Sequence, residues 1–113
     1  MNYREYLFMK HSEECGENIQ CAAKASLFGN DSTNPATGLT NEEELINEIH
    51  DFMAMVDMMH ENGLINFKFD PEKIRIKKQK VIYHAISQGV LQGEAPNPIR
   101  EVLFPTGKLK AIR

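Results

Sequence analysis

Apolar residues recur at a spacing of three and four in three stretches of the chain, and turn-forming residues separate the stretches. Positions 2–28 contain no proline and end at Gly29-Asn30, which predicts one long helix. At about 100° per residue, Leu7, Phe8, Cys15, Ile19, Ala22 and Ser26 fall on one side of it. Glu14, Glu17 and Cys21 form a strip beside that side, extended by Lys10 and Tyr3. Gly16 sits mid-helix at a cost of roughly 1 kcal/mol against alanine. Residues 29–39 are polar and rich in turn formers, which predicts a loop.

The second helix opens at Thr40, with Glu43 placed to close a capping box, and runs to about Glu61, before Asn62-Gly63. Leu45, Ile49, Phe52 and Val56 make its expected core stripe. Glu44, Glu48 and Asp51 make a neighbouring stripe that Met55 and Met59 continue. Of Met53, Met55, Met58 and Met59, core or interface filling is the simpler reading. Residues 62–69 connect to a third helix, announced by an N-cap, a first-turn proline and an acid at Asp70-Pro71-Glu72. That helix is expected to reach Ser87 or slightly further, before Gly89 or Gly93, with Ile74, Val81, Ile82 and Ala85 toward a core and Lys73, Lys77, Lys80 and His84 on another face. From Gly93 on, Pro96, Pro98 and Pro105 exclude a continuous helix, and Ile99–Phe104 reads as either a short helix or a strand.

The fold class expected is all-α: a bundle of three main helices over residues 1–92, followed by a proline-containing tail at 93–113. Three amphipathic helices leave apolar surface uncovered, so a homo-oligomer, dimer or tetramer, is expected to complete the bundle. A chain of 113 residues suits one small domain, and 42% hydrophobic with 26% charged residues places it among globular proteins. The net charge of -3 supplies no basic field for nucleic acid. No apolar run approaches the roughly 20 residues of a membrane span, and Tyr3, Arg4 and Glu5 break any signal-peptide pattern. Cys15 and Cys21 on one helix stand about 9 Å apart along its axis, too far for a disulfide, which favours a reducing, cytoplasmic setting.

The acids bring in chemistry. Glu14 and Glu17, and Glu48 and Asp51, are i,i+3 pairs, so each pair lies on one side of its own helix. Helix-surface acids are ordinarily just solvated. Here the position four residues after Glu14, Glu17, Glu44 and Glu48 holds Asn18, Cys21, Glu48 and Phe52, never a base. Missing intrahelical partners point to a neutralising metal, and an all-oxygen cage suits Mg²⁺ or Mn²⁺. A ferritin-like di-iron site would want Glu-x-x-His, which neither acidic turn offers. His50 projects about 100° from Asp51 and reads as a surface group.

The run Glu13-Glu14-Cys15-Gly16-Glu17 resembles the Glu-Glu-x-x-Glu motif of the MazG-like nucleoside triphosphate pyrophosphohydrolases, and Glu48-x-x-Asp51 resembles their Glu-x-x-Asp motif. The resemblance covers about residues 10–60, with a longer gap between motifs than the family usually has. It implies an all-α fold and Mg²⁺-dependent hydrolysis of NTP or dNTP to the monophosphate and pyrophosphate. It further implies Glu14, Glu17, Glu48 and Asp51 as metal ligands, Glu13 as an auxiliary acid near the attacking water, and Lys77 and Lys80 as phosphate-binding groups. The competing reading is a non-enzymatic helical interaction module whose acids keep it soluble.

Overall fold

Capping chemistry sets where the helices begin and end. The computed structural model describes residues 1–92, together with 110 and 111. Helix α1 spans Tyr3–Phe28, opened by Asn2, whose side chain accepts from the Glu5 N–H. It stops at Gly29, whose φ of 88° lies in the region that glycine enters without steric cost. Helix α2 spans Asn41–Glu61 behind a complete Thr40/Glu43 capping box. Helix α3 spans Pro71–Ser87, with the Asp70 carboxylate accepting from the N–H groups of Glu72 and Lys73. Two-residue strands, β1 (Leu91–Gln92) and β2 (Lys110–Ala111), pair antiparallel, the one departure from a purely helical chain among the described residues. The expected tail element at Ile99–Phe104 lies outside the described residues.

Two compact units emerge, Met1–Phe67 and Lys68–Arg113. The first is an antiparallel helical hairpin. Its ladder runs from Leu7 packed with Met55 and Met59, through His11 against Phe52, to Asn18 bonded to Glu48 and Asn41 bonded to Gly29. Leu64 and Ile65, just after α2, pack on the Leu7 end. At the other end the buried Asn41 side chain donates to the carbonyls of Gly29 and Lys24, at 2.9 and 3.5 Å. Its backbone N–H bonds Ser32, and Thr33 bridges Thr40, so the loop closes back on the start of α2.

The helices are rotated relative to their expected faces. On α1 the inward line is Leu7, His11, Glu14, Asn18, Cys21 and Ala25, while Ile19 is 70% exposed and Ala22 and Ser26 are also exposed. On α2 the buried apolar residues are Met55 and Met59, on the stripe that carries Glu44 and Glu48. Leu45, Phe52 and Val56 are half-buried, and Ile49 is 43% exposed. The apolar moment misleads here because part of the helix–helix seam is built from carboxylates. Gly16 faces outward, and a Cβ there would meet nothing within 4 Å, so no close approach explains it.

The second unit begins at Lys68, with α3 as its helix. Ile74 and Val81, expected in the core, are 45% and 56% exposed; Gln79 is the buried residue of α3, and Ile82 and Ala85 are half-buried. Arg75 pairs with Glu72 one turn before it. Lys73, Lys77, Lys80 and His84 are all exposed.

A candidate metal centre in the helical hairpin

The antiparallel ladder brings the two acidic turns to the same height. Asn18 fixes that height: its amide donates to the backbone carbonyl of Glu14 on its own helix at 3.1 Å and to that of Glu48 on the other at 2.9 Å. With the helices so clamped, Glu14, Glu17, Glu48 and Asp51 each place one carboxylate oxygen within 4.8 Å of the others. Glu14 and Glu48 are half-buried in the seam; Glu17 and Asp51 stand exposed at its rim. These are the four residues for which the spacing and the resemblance predicted a common site.

Four carboxylates this close repel one another, and the electrostatics record it. Burial pushes the Glu48 carboxyl up to about 7, assisted by its contact with Glu17 and by the charges of Glu17, Asp51 and Glu14. Burial also raises Glu14, followed by the charges of Glu17 and Asp51. One buried oxygen of each, Glu14 Oε2 and Glu48 Oε2, has no hydrogen-bond partner. A buried carboxylate oxygen without a donor is costly to ionise. A hard divalent cation would satisfy both oxygens and offset the repulsion, and carboxylate oxygens are the donors Mg²⁺ and Mn²⁺ take. The residues present therefore fit such an ion.

The other expected site residues are not among these four carboxylates. Glu13 is exposed and forms an ion pair with Lys10 at 2.8 Å, which raises the Lys10 pKa through that bond and charge. Lys77 and Lys80 belong to the second unit. Cys21 is buried and free, its thiol pushed up by burial and then by the charges of Glu48 and Glu44, so it is not an activated nucleophile. Cys15 is free as well.

Two further residues shape the site. The spacing Leu7-His11-Glu14-Asn18 is the signal that puts Asn18 on the inward line, although, four residues after Glu14, it reads only as a missing base. Glu44, one turn before Glu48, accepts from Thr37 Oγ1 at 2.7 Å and Asn34 Nδ2 at 3.0 Å; these bonds hold its carboxyl below the usual range. An open pocket of about 270 Å³ lies there, lined by Asn34, Thr37, Leu39, Glu44, Asn47 and Glu48. Among the described residues, no helix is long and apolar enough to cross a membrane.

Compared with known proteins, the chain matches no family model, no curated protein and no solved structure.

Proposed function

We propose that the chain is a Mg²⁺-dependent nucleoside triphosphate pyrophosphohydrolase of the MazG-like kind. The observation that carries the reading is the convergence of Glu14, Glu17, Glu48 and Asp51, with two buried oxygens lacking any other partner. Acids that only keep a helical interaction module soluble need no buried, unpartnered oxygens, and Glu14 and Glu48 each have one. Mg²⁺ supplies a Lewis acid to phosphoryl oxygens and lowers the pKa of bound water. In the proposed reaction the oxygen of water attacks the α-phosphorus, the bond from that phosphorus to the α,β-bridging oxygen breaks, and pyrophosphate leaves. Glu14 and Glu48, half-buried in the seam, and Glu17 and Asp51, exposed at its rim, would hold the cation. Asn18 positions the pairs by bonding one carbonyl from each helix. Lys77 and Lys80 keep, from the resemblance, the role of binding the triphosphate.

The assay is incubation of the purified chain with a panel of NTPs and dNTPs plus Mg²⁺, with products separated by chromatography. Monophosphate and pyrophosphate are expected. No monophosphate from any nucleotide rejects the enzyme, and orthophosphate in place of pyrophosphate rejects the point of attack.

The working unit in this proposal is a homo-oligomer. Ile19, Ile46, Ile49 and Met53 are 70%, 46%, 43% and 56% exposed, and they lie on the flank of the hairpin opposite Glu17 and Asp51 by their angular positions. A second copy of the chain is the proposed cover for this flank. Light scattering at micromolar concentration is expected to give a multiple of 12.9 kDa; a mass of one chain contradicts the proposal.

A further inference from the structure

The loop between α1 and α2 is a built element. Asn34 Oδ1 accepts from the Ala36 N–H at 2.9 Å, its backbone N–H donates to Leu39, and its carbonyl accepts from Thr37 and Gly38. Gly38 has φ of 75°, which lets the chain turn back there. The folded loop then presents Asn34 and Thr37 to a single oxygen of Glu44. That carboxylate is thereby fixed with its Oε1 occupied by two donors, leaving Oε2 as the atom able to take a ligand.

The pocket beside it has two walls that matter. Glu48, a proposed metal ligand, is among its lining residues; Leu39 adds apolar surface, and Asn47 adds an amide from the exposed side of α2. Pockets for drug-sized ligands measure about 300–1,000 Å³. At about 270 Å³ this one suits a single ring system rather than a whole nucleotide. A nucleotide whose phosphates lie on the carboxylate cage has its nucleoside within reach of a pocket that shares Glu48 with that cage.

From this arrangement we infer that the pocket is the nucleobase subsite, and that Glu44 selects cytosine or adenine, which carry an amino group where uracil, thymine and guanine carry a carbonyl. The inference rests on the proposed nucleotide hydrolase and names its substrate class. An ionised carboxylate accepts hydrogen bonds and donates none. Cytosine and adenine present an amino donor where uracil or thymine presents a carbonyl acceptor. The donor meets Glu44 Oε2 favourably; the carbonyl faces it as acceptor against acceptor. The Asn47 amide, with both donors and an acceptor, serves the neighbouring ring atom.

Calorimetric titration of α,β-imido-dCTP and α,β-imido-dUTP with Mg²⁺, beside kcat/KM for dCTP and dUTP, tests this. The wild type is expected to favour the cytosine nucleotide by about tenfold or more, the worth of one charge-assisted hydrogen bond. Glu44→Gln keeps an acceptor for Thr37 and Asn34 and puts an amide donor where Oε2 stood, so the ratio is expected to collapse or invert. Asn47→Ala, at an exposed helical position, leaves helicity unchanged and is expected to weaken binding of the cytosine nucleotide. A chain that hydrolyses nucleotides but shows the same ratio in wild type and Glu44→Gln overturns the subsite and keeps the hydrolase. Discrimination only between CTP and dCTP overturns it also, because the sugar and not the base is then read. A wild type that neither binds nor hydrolyses any nucleotide overturns both.

Discussion

Glu48→Gln is expected to cripple hydrolysis, lowering kcat by at least about 10–100-fold, while the metal-free protein stays folded. The magnitude follows from scale: groups that merely orient a metal ligand cost about 10–100-fold when removed, and a ligand itself costs no less. The stability expectation runs the other way. Glu48 is half-buried, one of its oxygens has no partner, and its carboxyl is pushed up to about 7 by burial and by Glu17, Asp51 and Glu14. Glutamine of nearly equal size removes one charge from a repelling group, and its amide can donate to a neighbouring carboxylate. Circular dichroism of the metal-free variant is expected to show unchanged helicity and a melting temperature equal to or above that of the wild type. A variant that loses helicity shows instead that the carboxylates are structural, and the proposed centre falls with it.

That single substitution separates function from fold because the sequence encodes the two with different kinds of signal. Helix ends were legible from local chemistry alone: Asp70-Pro71, the Thr40/Glu43 box and Gly29 all act over four residues or fewer. The four acids were legible because i,i+3 spacing on two helices survives any rotation of either. The faces were not. Placing Ile19 inside α1 and Ile49 inside α2 assumed that apolar residues define the seam; the seam instead alternates Leu7, Met55 and Met59 with Glu14, Asn18 and Glu48. Asn41 and Gln79 gave no advance sign of burial, since burial of an amide depends on groups brought up by tertiary structure. The bonds from Asn34 and Thr37 to Glu44 belong to the same class: the loop residues read as turn formers, and only the fold points them at α2.

The wild type with Mg²⁺ is expected to gain more thermal stability at pH 8 than at pH 5.5. Begin without metal. The Glu48 carboxyl holds its proton up to about pH 7 in the folded chain, against 4.5 for an unperturbed glutamate. Between those values the folded state binds a proton that the unfolded state has released, so metal-free stability falls as pH rises through the window. Metal reverses the trend, because its ligands must be deprotonated before they bind it. At pH 5.5, about 1.5 units below the pKa of Glu48, displacing that proton weakens apparent affinity by about thirtyfold. At pH 8 almost no such competition remains. Mg²⁺ at a hundred times its Kd then contributes about 2.7 kcal/mol, a rise of roughly 10 °C in melting temperature for a domain of this size. Differential scanning fluorimetry at both pH values, with and without Mg²⁺, reads the difference directly. Glu48→Gln is the control: with one of the two raised carboxyls gone and Glu14 remaining, its metal-free melting temperature should fall less steeply between about pH 4.5 and 7 than that of the wild type. Equal Mg²⁺ increments at both pH values in the wild type would mean that the ion binds elsewhere, and that the four carboxylates converge without holding one.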